Sequence, residues 1–150
     1  MSPPQTLQET FHAYLTAWNA HDQPQYSQYY APNFHIHLPA FPPTTNKEDS
    51  LALFRNLTFF SETIHPTWLL FGERSVAMEA VMRCEALVDL DVPFPFTGKT
   101  YRRGEVFEYA SIVHYEFNED SQITTFRSFC EIQQPDPGSG IVKDVLPGYE

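Results

Sequence analysis

The sequence is poor in the features that mark secreted and membrane proteins. Its 150 residues include two cysteines, too few for a disulfide framework, so we interpret Cys84 and Cys130 as reduced core residues. No apolar run is long enough to span a bilayer, and no basic amphipathic helix is present to lie on one. Residues 1–5 lack the positive and apolar segments of a signal peptide. We therefore expect a cytoplasmic protein without a membrane partner.

Positive charge is also scarce. Nine basic residues stand against nineteen acidic ones, which gives a formal net charge of −10. A chain of that charge repels a phosphate backbone, so we expect no nucleic-acid partner.

Several catalytic and cofactor motifs are missing. The chain has no Gly-rich phosphate loop, no Gly-x-Ser-x-Gly elbow and no Cys/His nucleophile motif, so we expect no cofactor. His35 and His37 form a His-x-His pair, but a catalytic zinc usually needs a third protein ligand. Nothing in the sequence brings His114 near them, so we expect no metal either.

Aromatic residues, in contrast, are abundant. Thirteen Phe, eight Tyr and two Trp make up 15% of the chain, a content that suits the walls of a core or of a cavity. The length fits one domain. We place that domain at residues 1–134 and interpret residues 135–150, rich in Pro and Gly, as a C-terminal tail.

The order of local patterns predicts the fold class. Apolar periodicity predicts helices at 6–20, 24–30 and 47–60, and strands at 34–38, 65–71 and 75–87, with two long strands on either side of a polar break at 118–121. Long strands twist and bend, and a bent sheet has a concave face. We predict an α+β domain, a cone-shaped curved antiparallel β-sheet with three N-terminal helices that close a hydrophobic pocket.

Four stretches carry a resemblance to a known family. They are 18–22 (WNAHD), 30–34 (YAPNF), 97–101 (TGKTY) and 118–129, the last with Ile123 and Arg127. Their order resembles the SnoaL-like polyketide cyclase group of the nuclear-transport-factor-2-like superfamily, especially short fungal natural-product cyclases and isomerases. The resemblance implies the α+β cone, a small hydrophobic natural-product substrate, and a homodimer that pairs through the convex sheet face.

Two better understood relatives give residue-by-residue comparisons. The stretch from Tyr14 to Asp22 is similar to that of ketosteroid isomerase, and Tyr14 matches its oxyanion-stabilising tyrosine. Leu38, before Pro39, stands where that enzyme has its general-base aspartate. Arg83-Cys84-Glu85 resembles the Arg-x-Asp pair of limonene epoxide hydrolase, but the last-strand aspartate of that enzyme falls on Ser128.

Acidic and basic residues on the predicted strands are the candidate catalytic groups. Arg83 and Glu85 share a face because they are two residues apart, and Glu79 joins them if no bulge intervenes. Of two carboxylates near an arginine, one can stay ionised and act as a base while the other has a raised pKa and acts as an acid. The same pattern also fits a ladder of salt bridges on the solvent-facing side of an antiparallel sheet. Tyr109 shares its face with Phe107 and Ser111, and the relatives direct that face into the pocket.

The last strand and the first strand add further candidates. Glu131 closes the last strand and is a candidate acid or base, or a partner of Arg127 outside the site, and a bulge would reverse its direction. His37 is a candidate general base, since histidine titrates near neutrality, or a histidine at the sheet surface. The residues assigned to substrate binding are Trp18, Leu38, Phe54, Glu79, Phe107, Ser111, Phe126, Arg127 and Ser128.

These candidates lead to a functional hypothesis with two alternatives. We expect a cofactor-independent cyclase or isomerase of secondary metabolism that acts on a polyketide, terpenoid or alkaloid intermediate. The groups that move protons are Glu85, Glu131, His37 and Tyr109, and those that stabilise negative charge are Arg83 and Tyr14. The alternatives are an epoxide hydrolase or dehydratase, and a non-catalytic dimeric module that binds a small molecule or a protein.

Overall fold

The computed structural model describes residues 5–39, 41–94, 97–131 and 145–149, with backbone alone at 130 and 131. The first helix, α1 (Leu7–Asn19), begins at a capping box. The Thr6 hydroxyl accepts a hydrogen bond from the Glu9 backbone N–H at 3.2 Å, and the Glu9 carboxylate accepts one from the Thr6 N–H at 2.8 Å. This reciprocal pair satisfies two backbone donors that the helix leaves free. The buried face of α1 consists of Thr10, Phe11, Tyr14, Leu15 and Ala17.

The other two helices are shorter than predicted. Helix α2 (Gln23–Tyr26) continues as a 3-10 turn at Ser27–Tyr29. Helix α3 (Lys47–Asn56) begins at Asn46, whose side chain accepts the Asp49 N–H at 2.9 Å, and it ends at the Leu57 C-cap rather than at residue 60. The chain turns there because residues from Phe60 onward pair in the sheet.

Five strands form one sheet: β1 (Tyr30–His37), β2 (Phe60–Phe71), β3 (Ser75–Ala86), β4 (Val106–Phe117) and β5 (Ile123–Glu131). Their order is β1-β5-β4-β3-β2. Strand β1 is parallel to β5, and the other neighbours are antiparallel. The sheet is therefore mixed, and three of its four pairs of neighbouring strands have the predicted antiparallel arrangement. One helix and three strands separate β1 from β5 in sequence. A connection of this length allows two strands to pair in parallel.

Strand β2 begins five residues earlier than predicted. Phe60, Glu62 and Ile64 lie opposite Ala86, Cys84 and Met82 on β3. These pairings extend β2 to 12 residues. The polar stretch at 61–63, which lies between the predicted helix and the predicted strand, is consequently part of the sheet.

The main core lies between the helices and the concave face of the sheet. Its fully buried side chains include Phe11, Phe34, Met78, Val113 and Tyr115. Burial of each such side chain contributes roughly 1.5–3 kcal/mol. The helices therefore hold the sheet in its curve, as an α+β cone requires.

A second, smaller core closes one end of the cone. Ala86, Phe94 and Tyr101 are buried there, and the Phe107 ring lies 4.6 Å from Tyr101 between ring centroids. The connection between β3 and β4 thus contributes buried side chains to a wall at this end of the cone.

Little of the predicted tail falls within the described residues, since 135–144 lie outside them. In the described part, the Leu146 N–H donates to the Pro66 carbonyl at 2.8 Å, and the Tyr149 ring packs on His12 at 4.9 Å. No helix among the described residues is long and apolar enough to cross a membrane.

Candidate functional site

A cavity of about 500 Å³ lies between the three helices and the concave face of the sheet. Seven of the predicted site residues line it: Tyr14, Trp18, Leu38, Phe54, Tyr109, Phe126 and Ser128. The aromatic walls are completed by Tyr26, Phe60 and Phe94. An apolar cavity of this size, with few polar groups, is typical of small-molecule sites.

Among the described residues, Glu62 is the carboxylate that lines this cavity, and the sequence did not identify it as a candidate. It lies opposite Cys84 in the sheet, two pairs along from Met82, which is itself paired with Tyr109. The Tyr109 hydroxyl donates a hydrogen bond to Glu62 Oε2 at 2.9 Å, and the Cys84 thiol donates to the same oxygen at 3.8 Å. Cys84 is on β3 and Tyr109 is on β4, so strands of the same sheet hold the Glu62 carboxylate in position.

Burial raises the pKa of Glu62 from the ordinary value of 4.5, and the hydrogen bonds from Tyr109 and Cys84 oppose that rise. Desolvation favours the neutral acid, whereas the two donors favour the carboxylate. A carboxyl group whose pKa is raised in this way is a stronger base than an ordinary carboxylate, which favours it as a group that takes up a proton from a ligand. The described residues contain no group of three or more His, Cys, Asp or Glu side chains that could hold a metal ion.

Tyr14 lies deeper, in a cluster of buried tyrosines. Its hydroxyl is 2.8 Å from that of Tyr30, and its ring is 5.8 Å from that of Tyr115. Burial raises the pKa of all three well above the usual 10.0. They therefore remain neutral hydroxyls, able to donate, and Tyr14 is the one that also lines the cavity.

A hydrogen bond between two serine side chains joins β4 and β5 beside the cavity. Ser128 lines it, and its Oγ lies 2.9 Å from that of Ser111 on β4. Ser111 itself is buried behind this contact, and Phe107 packs in the end wall. The predicted direction of the face with Tyr109, Ser111 and Phe107 is thus correct, although Tyr109 alone of the three lines the cavity.

The predicted cavity positions of Arg83, Glu85 and Glu79 are wrong. Alternation along β3 buries Met82, Cys84 and Ala86, so Arg83 and Glu85 are exposed on the convex face. Glu79 lies on the same convex face, opposite Trp68 and Ile112. These charges belong to the solvent side of a half-exposed antiparallel sheet.

His37 and Arg127 also point away from the cavity. They are paired neighbours on β1 and β5, whereas Ile36 is buried and Phe126 lines the cavity. Burial lowers the pKa of His37, and the positive charge of Arg127 and the ring of His35 lower it further. Glu131, the predicted acid or base of the last strand, has a side chain outside the described residues. The backbone of Glu131 pairs with that of Ala110 on β4.

Polar residues at the cavity rim form a second group that the sequence reasoning missed. His21 and Gln23 come from the corner between α1 and α2, Arg55 and Thr58 from the end of α3, and Ser61 from the start of β2. The His21 Nε2 lies 2.9 Å from the Ser61 Oγ. A hint was present in the sequence, because His21 belongs to the 18–22 stretch that carries the family resemblance.

Comparison with known proteins agrees with this architecture. The model of the SnoaL-like domain family matches residues 11–126, and the chain belongs to that family. No curated protein sequence matches significantly.

Solved structures share the fold at low sequence identity. A candidate polyketide cyclase from Pseudomonas putida KT2440 is 14% identical, with a TM-score of 0.72 over 86% of this chain and 94% of the other. An NTF2-like protein of unknown function from Cytophaga hutchinsonii is 13% identical, with a TM-score of 0.61 over 87% and 95%. An LEH-like epoxide hydrolase from M. tuberculosis is 11% identical, with a TM-score of 0.63 over 84% and 83%. At these identities the likeness extends to the α+β cone and not to the reaction.

Proposed function

We propose that this SnoaL-like protein is a cofactor-independent cyclase or isomerase of secondary metabolism, in which Glu62 moves the proton. The observation that carries the proposal is the 2.9 Å hydrogen bond from Tyr109 to Glu62 inside an aromatic cavity of about 500 Å³. The names of the cyclase-like structural neighbours agree with this class of reaction, and the low identity leaves the substrate open.

The chemistry that suits this site is proton transfer next to a carbonyl group. Ionised Glu62 removes a proton from the carbon beside the carbonyl, and the electron pair of that C–H bond moves to form an enolate. The neutral Tyr14 hydroxyl, which also lines the cavity, is a candidate donor to the developing oxyanion. Return of the proton to another carbon gives an isomer, and attack of the enolate carbon on a second carbonyl gives a ring.

The walls of the cavity suit an apolar ring system. Trp18, Phe54 and Phe126 come from two helices and a strand and surround the same space. Such walls hold a flexible intermediate in one reactive conformation, which lowers the entropic part of the barrier. We therefore propose a polyketide, terpenoid or alkaloid-like substrate with a ketone near Glu62.

The test is enolisation of a bicyclic ketone, 2-tetralone, in D₂O, followed by NMR as exchange of the hydrogens beside the carbonyl. Wild-type protein should accelerate the exchange, and Glu62→Gln should remove about 10²–10⁴-fold of that acceleration, as expected for loss of a general base. Glu85→Gln is the matched control, since Glu85 is exposed on the convex face. Equal rates for the two variants would contradict the role of Glu62.

Epoxide hydrolysis, the alternative reaction that the sequence suggested, has less support from the positions of its candidate residues. The Arg83 and Glu85 pair that resembled the hydrolase motif is exposed on the convex side of β3. Ser128, at the position of the third group, does line the cavity, but it has no acidic function.

We also propose that the protein is a homodimer paired through the convex face. Trp68, Glu79, Ile112 and Phe129 lie opposite one another in a row across four strands. Three of the four are large apolar side chains that are about half exposed or more, at 49%, 54% and 61%. A row of this kind on a sheet is self-complementary about a two-fold axis, and exposed apolar patches typically mark an interface. The cytoplasmic location remains a prediction from cysteine usage.

A further inference from the structure

The rim of the cavity differs in chemistry from its interior. Among the described residues, the interior carries one carboxylate, Glu62, between apolar walls, whereas the rim includes His21, Gln23, Arg55, Thr58 and Ser61. Exposure separates the two parts, since His21, Arg55 and Thr58 are exposed while Tyr14, Met82 and Cys84 are buried. All five rim residues carry N–H or O–H groups that can donate hydrogen bonds. The rim therefore favours an acceptor-rich group on the ligand.

Arg55 supplies the positive charge at the rim. Among the described residues it has no ion pair, whereas Arg74 and Arg102 each contact a carboxylate, at 3.4 and 2.8 Å. Its charge reaches the cavity wall, where it opposes the rise that burial causes in the pKa of Tyr26. The end of α3 also favours a cation through the helix dipole, so Arg55 stabilises the helix as well as placing a positive charge at the rim.

His21 holds an unfavourable backbone conformation at the same place. Its φ is +57°, at the position after the α1 C-cap where glycine is the usual residue. The His21 N–H donates to the Trp18 carbonyl at 2.9 Å and the Asp22 N–H to the Ala17 carbonyl at 3.2 Å, the two bonds of a Schellman motif. A side chain in this region costs stability, and such residues concentrate at functional sites.

This conformation directs the imidazole of His21 to the start of β2. Its Nε2 pairs with the Ser61 Oγ at 2.9 Å. No described residue forms a hydrogen bond with the other ring nitrogen, Nδ1. The ring is thus held at the rim with one polar atom available to a ligand.

From these features we infer that the rim binds a carboxylate of the ligand, and that the substrate is an amphipathic carboxylic acid with its apolar body inside the cavity. The inference rests on the proposed function for the position of the apolar body. The planar guanidinium of Arg55 matches the two oxygens of a carboxylate, and His21 and Ser61 add donors beside it.

Two fluorescent probes that differ in one charge provide the test. Dansylglycine and dansylglycinamide share an aromatic body, and titration of each into the protein at pH 7.5 and low salt measures Kd from dansyl fluorescence. We expect wild-type protein to bind the acid about tenfold more tightly than the amide, and salt to reduce that preference. Arg55→Gln should bring the ratio close to one. Arg127→Gln, the same change at an exposed arginine on the convex face, should leave it unchanged.

A substitution at His21 separates binding from stability. His21→Gly relieves the unfavourable φ and should raise Tm by about 2–4 °C, while it lowers the preference for the acid about threefold. His21→Asn, whose side chain tolerates this backbone conformation and keeps polar atoms, should retain more of the preference. A merely structural His21 would change Tm and leave the binding ratio as it was.

Three results would overturn the inference: equal binding of acid and amide, no saturable binding of dansylglycine, or equal effects of Arg55→Gln and Arg127→Gln. The enolisation of 2-tetralone and the titration with the dansyl probes test separate proposals, so either proposal can be contradicted without the other. Enolisation that depends on Glu62, together with equal binding of the probes, removes the rim inference alone. A preference for the acid without enolisation removes the cyclase proposal and leaves a carboxylic-acid binding site.

Discussion

The two faces of the sheet carry carboxylates in different ways. On the concave face, Glu62 has its carboxylate inside an apolar cavity and receives hydrogen bonds from Tyr109 and Cys84. On the convex face, Glu85 is exposed beside the exposed Arg83. Both glutamates lie on the paired strands β2 and β3, only one pair apart in register. Burial and defined hydrogen-bond donors, rather than an arginine beside the acid, therefore distinguish a candidate catalytic carboxylate.

The largest contrast between the faces should appear in stability. Phe34 is fully buried in the core, and Phe129 is 61% exposed on the convex face. Phe34→Ala should lower the free energy of unfolding by about 3–5 kcal/mol, since it leaves a cavity, whereas Phe129→Ala should change it by about 0.5 kcal/mol or less in the monomer. Urea unfolding measures both. A large loss for Phe129→Ala at protein concentrations that keep the chain monomeric would contradict the assignment of that face to the surface.

The next contrast concerns association. Ile112 is at the centre of the convex row, between Glu79 and Phe129. Ile112→Lys should weaken a convex-face dimer at least about 100-fold, about 2.7 kcal/mol, because it places a desolvated charge in the apolar contact. Sedimentation velocity over a range of concentrations gives the dimer Kd. Ser61→Ala, a change at the cavity rim, is the control that should leave Kd unchanged, and a monomeric wild-type protein at all concentrations would exclude the dimer.

A smaller effect is expected in the pH dependence of stability. The pKa of Glu62 is raised in the folded protein, so the folded state binds more protons than the unfolded state between the ordinary and the raised pKa. Its contribution to stability is full below the ordinary value and is lost as pH rises through the raised one. Glu62→Gln should therefore flatten that fall in stability. Thermal unfolding at a series of pH values provides the comparison, and parallel profiles for wild type and Glu62→Gln would contradict it.

The parts of the fold that depend on local patterns could be predicted from the sequence. The capping box at Thr6 set the start of α1, and the regular alternation of β4 placed Tyr109 on one face with Ser111, a face that the resemblance to relatives directed into the pocket. The parallel pairing of β1 with β5 could not be predicted, because its register joins segments about ninety residues apart. No local pattern encodes such a contact.

The candidate site was harder to predict for two physical reasons. Glu62 lies in a polar stretch, Ser61 to Thr63, that has no strand-like alternation of its own and becomes β2 only through pairing with β3. Arg83 and Glu85 were assigned to the cavity by resemblance, although the alternation with buried Met82 and Cys84 indicates the opposite face. The apolar wall was easier, since Trp18 and Phe54 lie on the apolar sides of their helices and both reach the cavity.

The most direct test of the account is an NMR titration of the side-chain carboxyl carbon of Glu62 in the wild-type protein and in Tyr109→Phe. We predict that the pKa of Glu62 lies above the ordinary carboxyl value, and that Tyr109→Phe raises it further by removal of a donor to the carboxylate. Titration of Glu62 at the ordinary carboxyl value, unchanged in Tyr109→Phe, would contradict the claim that the cavity, through burial, prepares Glu62 for proton transfer.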